Sequence, residues 1–111
     1  MSVCYLVFYR GHAKDAESFL EHYRRVHVPI LKRFPRIQGI RLLTPVAWDD
    51  PHPVSPGGFS LIAQMRFRSV EDLENALRSE ARREAREDFA GFGPFEGEIW
   101  HQAMEWEPYD E

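Results

Sequence analysis

The chain has 111 residues, 43% of them hydrophobic and 14% aromatic, with a net charge of −4. That is enough for one folded domain and too little for two. The apolar content argues against disorder, and the acidic balance against a polyanion partner. No apolar run approaches the roughly 20 residues that a bilayer-spanning helix needs, so a membrane partner is not expected. The N-terminus lacks the basic start and apolar core of a signal peptide, and Cys4 is the only cysteine. Together these features lead us to expect a cytoplasmic protein without an internal disulfide.

Residues 3–9 are continuously apolar and rich in β-formers, bounded by Arg10-Gly11-His12. This reads as a strand covered on both faces. Asp15 then caps a helix whose stripe, at spacings of three and four, includes Phe19, Tyr23, His27, Ile30 and Phe34. Pro29 lacks an N–H and its ring opposes the carbonyl of Arg25, so the helix should kink or break around Val28. Residues 37–48 read as a second strand, and the proline- and glycine-rich stretch 49–58 as a long loop. In Phe59–Phe67 the odd positions, Phe59, Leu61, Ala63, Met65 and Phe67, share one face of a third strand.

Ser69, with Asp72 three residues on, opens a second helix with an inner stripe of Val70, Leu73, Leu77, Ala81, Ala85 and Phe89. Its charges Arg78 to Arg86 alternate with Glu80, Glu84 and Glu87, as on a solvated face, so nucleic acid is not an expected partner. Residues 97–106 form a last strand. The order β-α-β-β-α-β is that of an α+β ferredoxin-like domain. It has a four-stranded antiparallel sheet, two helices on one face, and the first and third strands at the centre. The other face needs a cover, and a second copy of the same sheet would give a homodimer.

The chain has five histidines. His12 is most simply a turn residue, and His52 lies in the long loop. His101 alternates with Trp100 and Gln102, which leaves its face open. His22 and His27, five residues apart, would be about 140° apart on an α-helix, the wrong spacing for a metal pair, so no metal is expected. His27 itself has two readings: a core imidazole satisfied by a backbone carbonyl, or a general acid/base facing a helix–sheet cavity. The break expected at Pro29 frees carbonyls and space, which favours the second. Tyr23, one turn earlier on the same face, can share that pocket.

The segments Phe19-Leu20-Glu21-His22-Tyr23, His27-Val28-Pro29-Ile30 and Phe34-Pro35-Arg36-Ile37-Gln38-Gly39 resemble the pattern of the EthD-like family. So does Asp88-Phe89-Ala90-Gly91-Phe92 after Ser79-Glu80. Arg36 stands where the family usually has glycine, a departure expected to alter only a turn. The resemblance implies a dimeric α/β barrel with a cavity between helices and sheet. By position His27 matches the family's H-x-P histidine, its strongest catalytic candidate. Around it we expect Tyr23 as a second catalytic group and Phe19, Ile30, Phe34, Phe89 and Phe92 as a pocket for a small apolar or aromatic oxygenated ligand. The implied chemistry is acid/base work of isomerase, cyclase or cofactor-free oxidoreductase type, with no cofactor. Two other readings stay open: a non-catalytic binding or accessory protein of a degradation pathway, and a dimeric module with a purely structural histidine.

Overall fold

The computed structural model describes residues 2–109. Strand β1 (Val3–Ala13) is followed by α1 (Ala16–His22), a π-helical segment (Tyr23–His27) and α2 (Val28–Leu31). Strands β2 (Gly39–Leu43) and β3 (Phe59–Phe67) come next, then α3 (Val70–Leu77), α4 (Glu80–Phe89) and β4 (Phe95–Glu105). The sheet has the order β2-β3-β1-β4 with every neighbouring pair antiparallel, a ferredoxin-like arrangement.

Val3, Tyr5, Val7 and Tyr9 of β1 and Leu61, Ala63, Met65 and Phe67 of β3 point to the helices. There they form one core with Phe19, Tyr23, Leu31, Leu73 and Ala85. The alternation in β3 thus buries one face, as its period of two requires.

Several boundaries differ from those the sequence suggests, each for a local reason. β1 does not end at Tyr9 but continues to Ala13, because Gly11 sits directly opposite Gly97 of β4. Both have φ in the positive region, and a Cβ on either would overlap the carbonyl of the facing strand. Two glycines let the backbones approach where one larger residue would push them apart. A bulge between Tyr9 and Arg10 shifts the register so that Arg10, not Gly11, opposes Phe59. Phe59 therefore leaves the face of Leu61 and packs with Phe8 on the other side of the sheet, their rings 5.6 Å apart.

β2 stops at Leu43 rather than reaching residue 48. The second helix is two helices, α3 and α4. Ser79 is extended, accepts the N–H of Arg82 and donates to the carbonyl of Ala76 at 2.6 Å, so it caps α4 as α3 ends. Asp72 does not complete a capping box. Its buried carboxylate faces Arg36 at 3.3 Å and Arg68 at 3.6 Å. Arg36 itself has φ +60°, the left-handed conformation that a glycine takes without strain. The departure from glycine thus does more than alter a turn: its guanidinium anchors that turn to α3.

Replacing Gly97 by alanine should destabilise the chain by more than about 1 kcal/mol. Urea unfolding would show this as a lower midpoint at unchanged m-value; an unchanged midpoint would contradict the Gly11–Gly97 contact.

Candidate active site

The first helix does not break at Pro29. Proline cannot close an α-turn onto Arg25, and the helix widens just before it: the N–H of Val28 bonds the carbonyl of Tyr23, five residues back. Pro29 then lies in the first turn of α2, and the wide turn before it accommodates the missing N–H. In a turn closed from i to i+5, residues five apart lie one above the other. His22 and His27 are five apart, so the separation of about 140° that holds for an α-helix is lost and both reach the same group.

That group is Asp88, near the end of α4. His27 Nδ1 lies 2.8 Å from Asp88 Oδ2, and His22 Nε2 lies 2.8 Å from Asp88 Oδ1. An ionised carboxylate only accepts, so both imidazoles donate to it. His27 is 5% exposed, and Tyr23 and Phe92 flank its ring at centroid distances of 4.7 and 4.9 Å. With Nδ1–H committed to Asp88, the neutral ring presents an unprotonated Nε2. Among the described residues this nitrogen has no hydrogen-bond partner. Burial pushes the His27 pKa below the usual 6.5, while Asp88 opposes that shift.

The imidazole borders a cavity of about 250 Å³ between sheet and helices. Val7, Leu31, Phe34, Met65, Phe89 and Ile99 supply its apolar wall. Tyr9 and Tyr23 also line it; burial pushes Tyr9 up to about 12 and Tyr23 well above its ordinary value, so both keep their hydroxyl protons. Farther along lie Tyr5, His101, Arg82 and Arg86. Strand register puts His101 on the helix side, and its Nδ1 is 2.7 Å from the Tyr5 hydroxyl. Burial, aided by Arg82 and Arg86, lowers its pKa.

Of the residues expected around the site, His27, Tyr23, Phe34 and Phe89 border this cavity. Phe19 and Phe92 line a separate depression by residues 13–19, where Phe92 also stacks edge-on against His27 and His22. Ile30 lines neither and packs against the core. His52 stays on the exposed loop, and Cys4 is buried, its thiol pKa raised by that burial. Asp88 enters the sequence reading only within the family pattern, with no role at the site. A further signal is its place as an acid in the last turn of a helix, where the dipole favours a cation. No three metal-ligating side chains converge among the described residues.

A family model described as EthD domain matches residues 12–93. The chain belongs to the EthD family. An EthD family protein from Bacillus halodurans has the same fold, with a TM-score of 0.78 at 21% identity over 96% of this chain and 100% of that one. The hydroxynitrile lyase of Passiflora edulis superposes at 0.68 with 18% identity, over 97% and 96% of the two chains. A dimeric protein of unknown function and ferredoxin-like fold from Bacteroides fragilis gives 0.58 at 12% identity, over 95% and 96%. No curated protein sequence matches the chain. Among the described residues no helix is long and apolar enough to cross a membrane.

Asp88→Asn should move the His27 pKa further below 6.5, because it removes the charge that opposes burial. Imidazole ¹⁵N shifts followed against pH would show it, and a rise would contradict the assignment. In the native chain the folded value of His27 lies below the unfolded one. Its contribution to stability is therefore complete above about pH 6.5 and lost as pH falls from there through the folded value.

Proposed function

We propose that the chain is an enzyme that moves a proton on a small, largely apolar oxygenated molecule, with His27 as the general base and acid. The observation that carries this reading is the His27–Asp88 bond beside the cavity. A histidine held only for packing needs a backbone carbonyl and solid surroundings. Here it has a carboxylate on one nitrogen and a cavity beside the ring. In that geometry Nε2 takes a proton from substrate, Asp88 stabilises the imidazolium that forms, and the same nitrogen returns the proton elsewhere. The buried, protonated hydroxyls of Tyr9 and Tyr23 bond to each other, and the pair can donate a hydrogen bond to the oxyanion that such a deprotonation leaves. Proton transfer next to oxygen is the step shared by isomerases, cyclases and lyases. The likeness to a hydroxynitrile lyase agrees with such chemistry without fixing the substrate.

Solvent deuterium exchange into a panel of small carbon acids (aryl ketones, lactones and cyanohydrins) tests the reading. Exchange should fall about 10²-fold or more in His27→Ala, and kcat/KM should decline in acid with a midpoint below 6.5. Exchange that is equal in both proteins would remove His27 from catalysis and favour a binding or accessory role.

We also infer that the open sheet face is covered by a second copy of the chain. Trp100 and Met104 of β4 and Leu43 of β2 are 41%, 52% and 50% exposed on that face, beside Phe8 and Phe59. Such a contiguous apolar surface is unusual on a lone domain, and a dimeric neighbour of the same fold is in keeping with it. Light scattering should give twice the chain mass, and Trp100→Glu should shift it toward the single chain; a native monomer sinks the inference.

A further inference from the structure

The cavity continues past His27 to charges that proton transfer does not use. Arg82 and Arg86 stand one turn apart on α4, flank the buried Ala85, and both line the cavity. The acids of this helix are all engaged elsewhere. Glu80 and Glu87 hold Arg83 on the outer side, Glu84 pairs with Arg33, and Asp88 takes His22 and His27. Among the described residues no carboxylate lies within ion-pair distance of Arg82 or Arg86. Arg82 instead sits 5.9 Å over the ring of Tyr5, whose hydroxyl holds His101 on the same wall. One end of a mostly apolar cavity therefore carries two uncompensated guanidinium groups with polar neighbours.

We propose that this end binds a carboxylate, and that the substrate of the site is a small organic acid with an apolar or aromatic body. A guanidinium fork matches the planar carboxylate, and the apolar lining next to it suits an acid with an apolar body. The apolar body then lies against Phe34, Phe89 and Leu31, which extend toward His27. The acid would be held at one end and reacted at the other. The substrate role rests on the proton-transfer reading; the binding itself does not.

Benzoate and benzamide share a shape and differ in charge. Each is titrated into the full-length ¹⁵N-labelled chain, with amide shifts of Ala85 and His101 as the readout. Benzoate should bind at least about tenfold more tightly. In Arg82→Gln/Arg86→Gln the two should bind alike, with benzamide unchanged, and Arg86→Glu, at an exposed position, should reverse the order. Arg83→Gln, on the outer side, should keep the preference. Equal binding in the native chain, a preference that survives the double substitution, or no shift with either probe overturns the proposal. His27→Ala should retain the preference. Loss of the base reading with the preference intact leaves an acid-binding site, and the opposite result leaves a base with a neutral substrate.

Discussion

The carboxylate of Asp88 receives hydrogen bonds from two imidazoles that belong to another stretch of helix, and much of the helical layer is arranged to permit this. A buried carboxylate without partners would be costly, as would a buried imidazole whose Nδ1–H had none. The shared bonds satisfy all three groups and tie the end of α4 to the π segment. They also fix the tautomer of His27, and with it which nitrogen is left for chemistry. Neither helix could rotate appreciably without leaving a charge or an N–H unpaired beside the cavity.

The elements that carry strong periodicity could be read from the sequence alone. The bounds of β3 are legible because its alternation is strict and it lies between a glycine pair and a helix cap. The first helix was legible in its stripe and in its trouble at Pro29, but not in how the chain resolves that trouble. A missing N–H can be met by a kink, a break or a wide turn, and the choice depends on what the side chains find across the layer. Phe59 was misplaced because a bulge leaves no mark on alternation. The division at Ser79 was hidden because the apolar spacing runs through it unbroken. Within the site, His27 and Tyr23 stood on a visible stripe. Asp88 and His101 did not, since each acquires its neighbours only when α4 and β4 are laid against the first helix and β1.

The two faces of the sheet carry different burdens. On the helix side, β1 alternates tyrosines with smaller residues, and this spacing leaves room for the cavity while placing hydroxyls along it. On the other side the same strand contributes Leu6 and Phe8 to an apolar surface. A single strand at the centre thus lines the cavity with its odd positions and the open apolar face with its even ones. Period-two geometry keeps the two faces separable in sequence.

The wide turn at Tyr23–His27 is equivalent to a helix that holds one residue more than its hydrogen-bond frame would allow. Removing one residue from it would restore ordinary winding and turn everything before it by about 100° relative to everything after. His22 and Tyr23 would swing away from Asp88 and the cavity while His27 stayed, although every side chain named here survived. In this fold the site is written in chain length as much as in residue identity. A relative could keep both histidines and the aspartate, differ by a single deletion, and lack this arrangement.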